Sequence, residues 1–302
     1  MFQHSKKFIW IVLTLLTALG LSACASLSTP QPASSTPEPT FTSVPPTPTS
    51  EPMALTVNGE GITYPEFDAE VARYTTAQTA LGKTVPSADA TDAVIQDFVA
   101  QLLLSQAARA NGFTLDDAAL QARIDSLAAQ VGGAEALSAW ETSHGYSEQA
   151  FRSALRRGAE SAWMRDKIIS NVPSTAEQVH VQQILAYNEE GALEALAQLK
   201  SGMDFDELAA SPFYDPLTRG DLGWFPRGYL LEKNIEDAAF SLEVGQYSDV
   251  IATNVGFHIV KVLARDPDRP LSPDAALSLQ ELTLKIWIEE QRIQANVVLA
   301  PQ

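Results

Sequence analysis

The chain has 302 residues, enough for two domains with cores of their own. Its formal charge of −17 argues against a nucleic-acid partner, because a phosphate backbone needs a basic surface. Cys24 is the only cysteine, which excludes an internal disulfide.

Residues 1–23 read as a secretory signal peptide, with Lys6 and Lys7 ahead of an apolar run over 8–21. That run is shorter than the roughly 20 residues a membrane-spanning helix needs. It closes on Leu21-Ser22-Ala23-Cys24, which resembles the bacterial lipobox. The resemblance implies acylation of Cys24 and a lipid anchor, with each buried methylene contributing about 0.8 kcal/mol. Residues 24–53 form a tether, since 26–52 is almost entirely Ser, Thr and Pro. It holds too little apolar surface to offset the entropy of ordering.

Residues 54–173 predict a helical domain. A tiny hairpin over 55–62 turns at Asn58-Gly59. Thr63 and Glu66 are spaced as a capping box, with Glu66 reaching back. Helices are predicted over 63–81, with Phe67, Val71 and Tyr74 on one face, and over 91–110, with Val94, Ile95, Phe98, Leu102 and Leu103. Further helices fall at 115–131, 134–142 and 147–171, and Pro173 ends the module. Residues 268–302 form a C-terminal helix: Ser272 caps it and Pro273 takes its first position. Its apolar Leu277, Leu284, Trp287, Ile288 and Ile293 predict that it returns to pack on the N-terminal helices.

Between these lies a compact insert, 174–267. A strand over 179–186 puts Val179, Val181, Gln183 and Leu185 on one face. Helices follow at 189–200 and 205–210, then a loop to 219 and the turn Gly220-Asp221-Leu222-Gly223 leading into a strand. A short helix over 235–240 and strands over 247–252 and 256–264 complete it. The last strand aligns His258 with Val260 and Val262. Two strands thus each carry one polar side chain, Gln183 and His258, on an apolar face. A glycine turn, a greasy helix face and a histidine-bearing strand describe an apolar cleft with a few polar groups at its rim. The four histidines are scattered and no metal-ligand spacing appears, so neither metal nor cofactor is expected.

Two motifs carry a family resemblance. Val57-Asn58-Gly59-Glu60, Ile62-Thr63 and Glu66-Phe67 resemble the start of the SurA and PrsA chaperone region. The segment 179–265 resembles a parvulin domain in its Gly220–Phe225 turn, its Ala238-Ala239-Phe240 helix end and its Gly256-Phe257-His258-Ile259 strand. The fold implied is α+β: an all-helical chaperone domain of N-terminal helices plus C-terminal helix, interrupted by a four-stranded antiparallel sheet wrapped by helices. The activity implied is peptidyl-prolyl cis/trans isomerisation in a foldase acting on unfolded exported proteins with X-Pro bonds. The resemblance assigns catalysis to His258, Thr253, Gln183 and an acid in the 211–219 loop. Asp215 is the candidate for that acid, with Asp221 the alternative reading as a turn-capping residue. It assigns the proline ring to Leu231 and Ile235, with Leu222, Phe225 and Phe240 completing the wall. The family pattern is departed from at Gln183, where a histidine is usual, and in a shortened loop before Gly220. Those departures keep a second reading open, a non-catalytic holdase with a degenerate parvulin domain. Tyr187-Asn188-Glu189-Glu190 stands where phosphate-directed members carry basic residues, so unphosphorylated substrates are expected.

Overall fold

The computed structural model describes residues 51–211, 214 and 219–300. The expected signal peptide, Cys24, most of the tether and Asp215 lie outside the described residues. The order opens with the hairpin β1 (Met53–Val57) and β2 (Glu60–Thr63). Asn58 and Gly59 both take positive φ, 53° and 86°, as a two-residue turn between twisted strands demands. Five helices follow: α1 (Tyr64–Ala80), α2 (Ser87–Ala110), α3 (Asp117–Val131), α4 (Ala134–Ser143) and α5 (Glu148–Ile169). Each sits within a few residues of its expected span. Leu55, Val57, Ile62, Phe67, Val94, Phe98 and Leu102 close around one another as the core of this lobe.

The chain then enters β3 (Thr175–Ala186), α6 (Glu189–Lys200), α7 (Phe205–Ala209), β4 (Asp221–Pro226), α8 (Lys233–Ser241), β5 (Ile251–Thr253) and β6 (Gly256–Pro270). These strands form one antiparallel sheet in the order β4-β3-β6-β5. Strict alternation along β3 and β6 divides the core. Val179, Val181, Val260 and Val262 face α8, while Ile184 and Ile259 face α6 and α7.

α9 (Pro273–Gln294) starts at Ser272, whose hydroxyl accepts from the Ala275 N–H. Leu284, Trp287 and Ile288 pack on Leu104, Ala108, Met164 and Ile168 of α2 and α5, but Leu277 and Ile293, expected on the same stripe, stay exposed near the two ends of the helix. The chain ends in a strand the sequence reading missed, β7 (Val297–Leu299), which pairs with β1. Three residues cannot show a strand period, and only the tertiary partner reveals it. No helix among the described residues is long and apolar enough to cross a membrane.

The capping box is half present. Thr63 Oγ1 accepts from the Glu66 N–H, but the Glu66 carboxylate does not reach back. It accepts instead from Arg157 Nη2 at 2.6 Å, far along the sequence in α5, and both side chains are buried. A guanidinium beside a buried carboxylate wins over a local amide because the charge would otherwise go unpaired. In a double-mutant cycle, Glu66 and Arg157 should couple by about 2–3 kcal/mol, whereas Thr63→Ala should cost only about 1 kcal/mol. Denaturant unfolding checks both, and coupling near zero would restore the local capping role for Glu66.

Candidate active site

β3 and β6 lie in a register that puts Gln183 opposite Val260 and Leu185 opposite His258. Gln183 and His258 are therefore diagonal neighbours on the face toward α8, within reach of each other's side chains. The register of β3 shifts beside Val181 against both of its neighbours, a local irregularity just ahead of Gln183. There the Gln183 N–H donates to the Gly220 carbonyl at 2.8 Å. Gly220 sits at φ 70°, and a Cβ on it would stand 1.8 Å from the Gln183 carbonyl oxygen. Only glycine allows the turn to lie flat against the strand.

His258 is 3% exposed. Its Nδ1 lies 2.9 Å from Gln183 Oε1, and its Nε2 lies 2.9 Å from Thr253 Oγ1. Thr253 is fixed in turn: its hydroxyl accepts from the Val255 N–H and lies 3.1 Å from the Gly256 carbonyl. The neutral arrangement that fits these partners has Nδ1–H donating to Gln183 and the Thr253 hydroxyl proton shared between Nε2 and the Gly256 carbonyl. Burial lowers the His258 pKa below the ordinary histidine value, and the Glu232 carboxylate, which works in the opposite direction, is outweighed. Glu232 stands at the N-terminus of α8 and makes no side-chain cap hydrogen bond.

The expected apolar wall is present but differently used. Phe225 is 0% exposed, and Ile235 and Phe240 are 5% and 6% exposed. Phe225 meets Phe240 edge-on at 6.2 Å, so these three are core between sheet and helix rather than free surface. Reading a wall from sequence does not tell which of its residues the protein itself covers. Leu231, expected beside Ile235, is 99% exposed and is absent from that cluster. Leu222, Tyr229, Leu230 and Ile251 pack against the cluster and remain partly accessible, so they form its rim. Tyr229, Leu230 and Ile251 were missed by the sequence reading, since nothing in their spacing marks them.

Two acids settle into plain roles. Asp221 Oδ1 accepts from the Gly223 N–H and lies 2.8 Å from His180 Nε2, the turn-capping alternative. Burial works to raise its pKa, but the Gly223 N–H and His180 together hold it below the usual carboxylate value. Glu236, unmarked in the sequence reading, is buried and its carboxylate accepts from three successive backbone N–H groups, Gly228, Tyr229 and Leu230, at 2.8–3.2 Å. It ties the rim loop to α8. Among the described residues no group of three His, Cys, Asp or Glu is placed to hold a metal.

Comparison with known proteins finds two family matches along the chain. Residues 172–264 match the family model described as PPIC-type PPIASE domain, and residues 42–155 match the SurA-like N-terminal domain. The chain carries a parvulin-type domain next to a SurA-like one. The foldase protein PrsA of Geobacillus sp. (strain WCH70) is 39% identical over 98 residues, 32% of this chain and 35% of the relative. That of Oceanobacillus iheyensis is 40% identical over 126 residues, 40% of this chain and 42% of the relative. These alignments span well under half of either relative. A crystal structure of a PrsA peptidylprolyl isomerase from Bacillus cereus covers 70% of this chain and 83% of its own at 23% identity, with a TM-score of 0.42. In the parvulin-type domain, Gln183 and His258 hold the central places on the face toward α8.

Gly220→Ala should destabilise the chain by about 3 kcal/mol or more, because the turn must leave the strand. A loss below about 1 kcal/mol in denaturant unfolding would contradict the close approach. The lowered His258 pKa sets a sign for pH. The unfolded chain binds the proton more readily, so this group's contribution to stability is complete above the ordinary histidine pKa. It falls away as pH drops through the lower, folded value. His258→Gln should flatten that decline in the midpoint of thermal unfolding.

Proposed function

We propose that the parvulin-type domain catalyses cis/trans isomerisation of unphosphorylated X-Pro bonds. The observation that carries this is the buried His258 clasped between Gln183 and Thr253 beside an apolar rim. Rotation about an X-Pro bond faces a barrier of about 18–20 kcal/mol, because the planar amide loses resonance when it twists. No covalent bond needs to change. Leu222, Leu230 and the exposed Leu231 hold the pyrrolidine, with Phe225, Ile235 and Phe240 stiffening the wall from beneath. The dipoles of His258 and Thr253 face the turning amide and favour the twisted state over the planar one. Gln183 supplies the hydrogen bond that fixes the imidazole without a charge of its own. Asp215 is proposed as an additional polar group on the loop ahead of Gly220. Glu189 and Glu190 start α6 and oppose a phosphorylated substrate.

In this reading the protein is a foldase for exported proteins, secreted by its 1–23 signal and anchored outside the cytoplasm through an acylated Cys24. The SurA-like and PrsA matches support the foldase part of this reading, and the Leu21–Cys24 motif carries the anchor. The helical lobe adds a cleft of about 880 Å³ whose lining includes Phe67, Val71 and Ile95 together with Asp68 and Asp92. That cleft favours a holding role beside catalysis.

Turnover of a proline peptide, followed by protease coupling on residues 51–302, tests the proposal. The chain should accelerate the slow phase, which otherwise takes tens to hundreds of seconds. His258→Ala should reduce kcat/KM by on the order of tenfold to a hundredfold while the domain stays folded. Gln183→His should keep turnover. No acceleration by the unmodified chain, together with suppressed aggregation of an unfolded client, would instead establish the non-catalytic holdase.

A further inference from the structure

The loop between β4 and α8 carries Tyr229, Leu230, Leu231 and Glu232, the side chains that border the candidate site. One of its two supports is internal: the Glu236 carboxylate gathers the Gly228, Tyr229 and Leu230 N–H groups. The other comes from outside the sheet. A Cβ on Gly228 would lie 2.5 Å from Leu282 Cδ2 and 3.2 Å from Leu279 Cδ2, so α9 rests directly on the loop backbone. Gly228 takes φ 84°, and both its conformation and its lack of a side chain allow this approach.

α9 is thus shared between two surfaces. At 100° per residue, Leu279, Leu282 and Ile286 fall on a stripe roughly opposite that of Leu284, Trp287 and Ile288. The second stripe is seated on α2 and α5. Leu279 and Leu282 are half-buried and touch the rim loop. A helix that belongs to the helical lobe therefore closes one side of the loop that frames the proline site.

We propose that Leu282 is a positioning residue for isomerisation: through Gly228 it sets the placement of the Tyr229–Glu232 rim, so the helical lobe and the isomerase site are mechanically coupled through α9. Leu282 touches no substrate. Its effect passes through the loop, and displacements well below the size of a side chain in such supports alter turnover. This rests on the isomerase reading, and the experiment separates the two.

Leu282→Ala and Leu282→Met are made in residues 51–302. Two readouts are taken: kcat and KM for a proline peptide, and amide hydrogen exchange at Gly228, Tyr229 and Leu230 against Val260 in the sheet. For Leu282→Ala the expected result is faster exchange at the three loop amides with Val260 unchanged. KM should rise on the order of tenfold, and Leu282→Met should restore both values. If the unmodified chain shows no turnover, the isomerase reading fails, while the exchange pattern still decides whether α9 holds the loop. Unchanged exchange at the loop amides, or unchanged kinetics beside faster exchange, overturns the proposal. Equal acceleration of exchange at Val260 and the loop does so too, since Leu282 would then act only on global stability.

Discussion

One hydrogen bond organises the insert: the buried His258 imidazole bonded to the Gln183 side chain across the central strand pair. An imidazole with 3% exposure is costly unless both ring nitrogens are met, and the fold meets both. Gln183 is held by its own backbone, whose N–H reaches the Gly220 carbonyl, and Thr253 is held by the β5–β6 turn. Around this bond the remaining constraints follow. Gly220 must be glycine because it lies against the residue that fixes the imidazole. Gly256 is confined similarly: at φ 147°, a Cβ there would stand 2.6 Å from the Ala186 carbonyl oxygen. Two glycines thus let two turns close on β3 from either side, and the site forms where they meet.

The same economy appears between the lobes. β7 returns to the first hairpin and α9 links the helical core to the rim loop, so the segments before and after the insert meet each other. The polar seam of the helical lobe points the same way. Glu160, buried on α5, accepts from Arg109 of α2 at 2.5 Å, and Arg109 also pairs with Glu60 of the hairpin. Only Glu160 is buried, so removing Arg109 would strand its charge, whereas the exposed Arg109–Glu60 pair contributes little.

Much of this was legible in the sequence where a short-range rule governs. Asn58-Gly59, Ser272-Pro273 and the alternation of Val179, Val181 and Gln183 each act within a few residues, and each element lies where these residues placed it. What stayed hidden depends on distant partners. Glu66 was paired with its nearest amide, but a guanidinium 91 residues away takes it. Nothing in the sequence marks Glu236, and only the fold of the 228–230 loop makes it a buried anchor. The apolar wall was identified as a set, yet periodicity cannot say that Phe225 and Phe240 would cover each other while Leu231 remained in solvent. The chemistry at position 183 was visible as a departure from the parvulin pattern. That the amide still meets the imidazole became clear only from the register of β3 and β6.

The account depends on His258 being uncharged and committed to one tautomer. Long-range nitrogen–proton NMR of the histidine side chains, followed through a pH titration, reads this directly. The account predicts a neutral His258 ring with its proton on Nδ1, titrating below the ordinary histidine pKa and losing its Nδ1–H signature in Gln183→Leu. A ring that titrates at or above the ordinary histidine pKa, or one whose tautomer is indifferent to Gln183, would contradict it.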